Sequence, residues 1–205
     1  MPARRGNYYS GSAATFCRRP LMDPALFREL KSLLGPANVL SQKEDLMLYE
    51  FDGSVEKARP EVVVLPLSTE HVSGIVKLAT KYQAPVVGRG AGTGLSGGAL
   101  ARGGGVMIVF ARMKRILEMD LENRRAVVQP GVVNLDITRA AEKAGLYFAP
   151  DPSSQKSCTI GGNVAENSGG PHTLAYGLTV KIHKTEHEVL HVIELLDRAC
   201  RIGVS

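Results

Sequence analysis

No run of eighteen apolar residues occurs in this 205-residue chain, so nothing in it reads as a membrane span. Cysteine is scarce. Cys17, Cys158 and Cys200 are odd in number and far apart, which excludes a zinc pair and a disulfide framework. A reducing compartment, and hence the cytoplasm, is the simplest expectation, with a position peripheral to a membrane as the alternative. Acid is missing altogether from residues 1–22, whose Arg4, Arg5, Arg18 and Arg19 carry +4 of the overall +5. The remainder is close to neutral, so no nucleic-acid surface is expected on the body. That tail has no apolar core of signal-peptide length. Its arginine- and serine-containing composition also describes a transit peptide, which would make the protein organellar, but a disordered basic extension is the preferred reading. Internal repeats and low-complexity blocks are absent. With 44% hydrophobic residues the chain can bury one ordinary core, whole or divided between two lobes.

Periodicity supplies the elements. Asp23, Pro24 and Gly35-Pro36 bound a short helix. Val62 to Leu65 is an apolar run too short for a helix and reads as a buried strand. Ser68 caps a helix whose apolar face is Val72, Ile75, Val76 and Ala79. Strands follow at Val86-Val87, Val106 to Phe110 and Arg125 to Gln129. Asn134 is expected to cap a further helix with Ile137, Ala140, Ala141 and Ala144 on one face, stopped by Gly145. The succession predicts an α+β fold with a small parallel sheet covered by helices.

Glycine dominates one segment. Six of the eleven residues from Gly88 to Gly98 are glycine, and a strand runs straight into them. Such a loop suits backbone N–H groups that converge on an anion, most often phosphate. A P-loop needs Gly-Lys-Ser/Thr at its end, whereas Ala-Leu-Ala-Arg follows here. Gly92-x-Gly94-x-x-Gly97 matches the dinucleotide fingerprint formally, but Gly98 and Gly103-Gly104-Gly105 come after it instead of a helix. That leaves a loop that cradles a dinucleotide by its backbone alone. The plain alternative is a flexible linker, which seldom sits directly between buried strands.

A second loop, PDPSSQKSCTIGGNVAENSGG at 150–170, is also rich in hydroxyls and glycines. Asn163 and Asn167 lie four apart and would share a face of any short helix there. The pair GRGAGTGLSGG and PDPSSQKSCTIGGNVAENSGGPHTLAYG resembles the FAD-linked oxidases of the p-cresol methylhydroxylase and vanillyl-alcohol oxidase superfamily. Within it, the chain is similar to the glycolate oxidase flavin subunit and the D-lactate dehydrogenases, from about Asp23 to Thr179. The resemblance implies an FAD-binding domain of two small α/β lobes with the cofactor between them, spanning 23–180, with a basic tail before it.

Site residues follow from the resemblance. Arg89, Gly90, Ala91, Gly92, Thr93, Gly94, Ser96 and Gly97 would take the FAD diphosphate through N–H groups and the two hydroxyls. Pro150, Asp151, Pro152 and Ser153 would shape one wall. Ser157, Gly161, Gly162 and Asn163 would meet the diphosphate and flavin ring, with Cys158, Ser168 and Gly169 beside them. Cys158 also reads as a small buried filler. Some relatives link FAD through a histidine in the first loop; none stands between His71 and His172, so non-covalent FAD is expected. A small 2-hydroxy acid is the implied substrate, with other oxidase subunits or an electron acceptor as partners.

Beyond Thr179 the chain departs from the family, which implies that the part covering the substrate is lacking. No catalytic residue is assigned. Val189, Val192, Ile193 and Leu196 have helical spacing, so a divergent helix is expected over 181–205. His187-Glu188-Val189-Leu190-His191 matches H-E-x-x-H, but the downstream extension is missing, and a solvated helix face is preferred over a zinc site. Three functions are therefore in play: the FAD-binding portion of a 2-hydroxy-acid oxidase, a non-catalytic or vestigial FAD-binding fragment, and, remotely, a zinc metallohydrolase. His172, in GGPHTLAYG, reads as a loop hydrogen-bonding residue.

Overall fold

The computed structural model describes residues 22–172 and the backbone of 191–194. The basic tail, with Cys17, lies outside the described residues, as do His183, His187, Glu188 and Cys200.

Helix α1 (Pro24–Leu34) starts where expected: the Asp23 carboxylate accepts from the Ala25 N–H at 2.7 Å, and Pro24 occupies the first turn. Strand β1 (Val39–Leu40) and helix α2 (Lys43–Met47) follow. Then come β2 (Val62–Val64), α3 (Thr69–Lys81), β3 (Val86–Arg89) and β4 (Val106–Val109). These four strands make one sheet in the order β1-β2-β4-β3. β4 pairs parallel with both β2 and β3, while the short β1 runs antiparallel at one edge.

β2 and β4 are apolar throughout because both faces of this sheet are covered. The parallel register sets Val62 beside Val106 and Val64 beside Ile108. These four point at Leu26, Leu30 and Leu34 of α1 and Ile75 of α3. Val63, Met107 and Val109 point the other way, onto Leu46 and Ala101. In α3 the buried positions are Ile75 and Ala79, with Leu78 packed against the same core. Val76, expected inside, is 44% exposed, because the inward stripe of the helix is narrower than the spacing suggested.

The second lobe begins with the hairpin β5 (Ile116–Asp120) and β6 (Arg125–Val128), joined antiparallel. Helix α4 (Asn134–Ala141) packs Ile137 and Ala141 against Ala126, Val128, Phe148 and Ile160. A short α5 (Ile160–Ala165) completes the cluster. Two expectations fail in this lobe. Asn134 is the first residue of α4 rather than its cap; its side chain is buried and donates to the Pro150 carbonyl at 3.0 Å. Ala140 and Ala144 are exposed, because only the Ile137 edge of the helix meets the sheet.

The expected C-terminal helix is corrected over its described part. His191–Glu194 form strand β7, antiparallel to β6 with Ala126 opposite Ile193. The free edge of β6 offers a hydrogen-bonding ladder, and β-branched Val192 and Ile193 suit it. His191 therefore stands on a strand, while His187 and Glu188 of the same motif lie outside the described residues. Among the described residues no group of three potential metal ligands occurs, and no helix is long and apolar enough to cross a membrane.

Candidate functional site

Each glycine-rich loop grows out of a different lobe. The first leaves β3 at Arg89 and returns to β4; the second follows α4, contains the short α5 and runs on past its end. They face each other across a cleft of about 410 Å³. From the first loop Gly90, Ala91, Gly92, Thr93, Gly94 and Ser96 line it. From the second come Pro152, Ser153, Cys158, Gly162, Asn163 and Ser168. Sequence reasoning had singled out all twelve.

Not every expected residue faces this space. Gly97 takes a positive φ of 75° within the loop. Pro150 is buried and accepts from Asn134, and Asp151 binds His172 through both carboxylate oxygens at 2.8 and 2.9 Å. The Ser157 hydroxyl donates to the Ser154 carbonyl at 3.3 Å. Gly169 is buried and accepts from the Asp151 N–H. Gly161 packs on Pro130 and lines a second cavity of about 430 Å³, which shares Gly88, Gly90, Gly162 and Ala165 with the first. Val72, Phe110, Met113 and Val164 give that second cavity an apolar wall. Asn163 and Asn167 do not share a helix face, since α5 ends at Ala165 and Asn167 adopts a φ of 51°.

Two features give the cleft its chemistry. None of the backbone N–H groups from Ala91 to Ala99 finds an acceptor among the described residues. Nine donors in succession are thus left to solvent or a ligand; eight of their residues line the cleft, all but Gly97, and the Glu166 carboxylate of the facing loop lies against Gly98. On the opposite wall Thr159 Oγ1 and Asn163 Nδ2 are buried without a partner. Leaving such groups unsatisfied costs about 1–3 kcal/mol each, a cost a polar ligand in the cleft would offset. Thr159 sits at the N-cap position of α5 yet makes no capping bond.

The facing loop approaches closely at Gly90 and at Gly98, where a Cβ would meet Glu166 Oε1, and Arg89 of the same loop approaches Gly92. A Cβ on Gly90 would strike Thr159 Oγ1. Gly92 has a φ of 72°, and a Cβ there would overlap the Arg89 guanidinium.

Arg89 does not line this cleft, although it contributes to the lining of the second cavity. It is 8% exposed, beneath the loop, with its guanidinium carbon 5.8 Å from the Tyr49 ring centre. Burial pushes its pKa down, opposed by the negative charge of Asp52. Burial works to raise the Asp52 pKa, but hydrogen bonds from Ser54 and the Arg89 charge outweigh it and hold the carboxyl below its ordinary value. The Gly53 N–H donates to the Gly94 carbonyl at 2.9 Å and pins the loop to this segment.

Sequence reasoning left out Thr159, Ser154 and Glu166, which also line the cleft, and Tyr49 and Asp52 beneath it. Glu166 had a signal: it is the one acid in a loop of small residues between Pro152 and Gly170. Tyr49 and Asp52 had none, because they are far from both loops in sequence.

A glycine-walled, donor-rich cleft between two α/β lobes defines a dinucleotide-binding domain. The family model described as an FAD binding domain matches residues 60–186, and the chain belongs to that family. The glycolate oxidase subunit GlcD of Escherichia coli (strain K12) is 54% identical over 143 residues, covering 69% of this chain and 29% of that protein. A D-lactate dehydrogenase of Anaerostipes hadrus is 50% identical over 123 residues, covering 60% of this chain and 26% of that one. The chain thus spans less than a third of the length of these relatives. The structure of p-cresol methylhydroxylase with substrate bound shares the fold, with a TM-score of 0.51 at 24% identity over 62% of this chain and 26% of that one. The fold is that of an FAD-binding domain of the p-cresol methylhydroxylase type, and its cofactor is FAD.

Proposed function

We propose that the cleft between the two loops holds the FAD diphosphate, non-covalently, and that the chain supplies the FAD-binding part of a 2-hydroxy-acid oxidation of the glycolate or D-lactate class. The observation that carries this is the pairing of two orphan sets. Eight residues with unpartnered N–H groups, Ala91 to Ser96 with Gly98 and Ala99, line one wall, and the buried Thr159 hydroxyl and Asn163 amide stand on the other. A diphosphate has enough acceptor oxygens to engage both walls at once. The hydroxyls of Thr93, Ser96 and Ser153 add donors at the same surface. The adjoining apolar cavity, floored by Phe110, Met113 and Pro130, suits a flat ring of the same dinucleotide. Bound flavin supplies the hydride acceptor for oxidation of the hydroxy acid to the 2-oxo acid. This chain's residues bind and orient the dinucleotide and keep its phosphates out of bulk water. The substrate class is supported by the names of the relatives, glycolate oxidase subunit and D-lactate dehydrogenase. The word subunit also supports other oxidase polypeptides, or an electron acceptor, as partners.

A second reading, an FAD-binding module without turnover, is favoured by the makeup of the cleft. Apart from the Cys158 thiol, Glu166 is its single ionisable side chain among the described residues. The two readings separate in one experiment. Purified protein is titrated with FAD, following quenching of flavin fluorescence, and then assayed for dye reduction with glycolate and with D-lactate. Saturable quenching with turnover supports the oxidase, and saturable quenching alone supports the module. Absence of quenching removes both.

A further inference from the structure

We propose that Arg89 is a positioning residue that serves the cleft from beneath: a buried cation, set over Tyr49 with Asp52 near by, that holds the glycine loop in shape and lends it positive charge. The inference rests on the cleft being a diphosphate site. Its own basis is geometric. The guanidinium lies directly under Gly92, at the place a Cβ would fill, so only the loop backbone separates it from the cleft. The side chain is more than nine-tenths buried, and its Nη1 has no hydrogen-bond partner. Asp52 is near enough to feel its charge, yet no ion pair forms between them, and Asp52 Oδ2 is also buried and unpartnered. A guanidinium with a buried, unpartnered Nη1, over an aromatic ring and under an anion cradle, keeps much of its field for the loop. The Gly53–Gly94 hydrogen bond ties the Tyr49–Ser54 segment to the same loop. This supporting segment lies outside the part of the chain that the family model matches, residues 60–186.

A structural strut and a buried counter-charge predict opposite signs for one substitution. Asp52→Asn keeps the oxygen that accepts from the Ser54 N–H but removes a negative charge near the cleft. If the Arg89 charge serves the phosphates, this variant binds FAD about two- to fivefold more tightly. Arg89→Met then loses about tenfold or more, and Arg89→Lys retains most of the affinity. Each variant is titrated with FAD by flavin fluorescence, with its melting temperature recorded beside it. Weaker binding by Asp52→Asn, or unchanged binding by Arg89→Met, overturns the proposal. Should Arg89→Met not fold, Asp52→Asn and Arg89→Lys decide it. Wild-type protein that gives no quenching is a different result: it removes the diphosphate reading itself, and this inference with it.

Discussion

Thr159 stands where any side chain on Gly90 would have to go: its hydroxyl occupies the space a Cβ would need, and it has no hydrogen-bond partner of its own. The residue that makes glycine obligatory in one loop is therefore a free polar group of the other. Gly90→Ala is expected to push the loops apart and weaken FAD binding about tenfold or more, with a stability loss of about 1–3 kcal/mol. Flavin titration and thermal unfolding check it; a variant that binds FAD like wild type would show that the loops do not close on the ligand.

Thr159 can be tested without a clash. Thr159→Ser keeps the hydroxyl and is expected to bind FAD within about threefold of wild type. Thr159→Val removes it and is expected to lose about tenfold. Equal affinities for the two variants would mean that this hydroxyl does not meet the cofactor. Asn163→Ala, which deletes the other buried orphan, is expected to cost a similar factor.

Covalent attachment is checked by acid precipitation. The first loop offers Gly92-Thr93-Gly94 and no histidine, so the yellow colour should pass entirely into the supernatant. Flavin retained by the precipitate would point to a linkage outside this loop.

Asp120 predicts a pH effect remote from the cleft. Its carboxylate accepts from the Asn123 N–H, from Arg125 and from the Asn123 side chain, which lower its pKa from the ordinary 3.8 to about 2. The folded-state value is depressed, so the stabilisation is present above 3.8 and is lost as the pH falls through about 2. Asp120→Asn should flatten the stability profile between these values and leave its shape near neutrality unchanged. Denaturant midpoints measured at pH 5, 4, 3 and 2 read this directly, and an unaltered acid limb would remove Asp120 as a contributor.

Much of the first lobe was legible because short-range rules act there. Val62 to Val64 is apolar on both faces, Ser68 accepts from His71 as an N-cap should, and α3 repeats at the helical period. The first loop stood out by its glycine density and the second by its resemblance to the FAD-linked oxidases, and residues of both line the cleft. What escaped depends on contacts distant in sequence. Tyr49 and Asp52 reach Arg89 only through the fold, and Thr159 was one hydroxyl among several until its position opposite Gly90 set it apart. The spacing of Val189, Val192, Ile193 and Leu196 fits a helix, but four residues alone cannot register the vacant edge of β6 that turns 191–194 into a strand.

The two walls of the cleft are rooted in separate hydrophobic clusters, one around Val62 and Val106 and one around Val128 and Ile137. A dinucleotide lodged there would rivet one cluster to the other, so the empty protein should melt in two loosely coupled steps and the loaded protein in one. Differential scanning calorimetry of apo and reconstituted samples would then report on mechanical unity as well as occupancy.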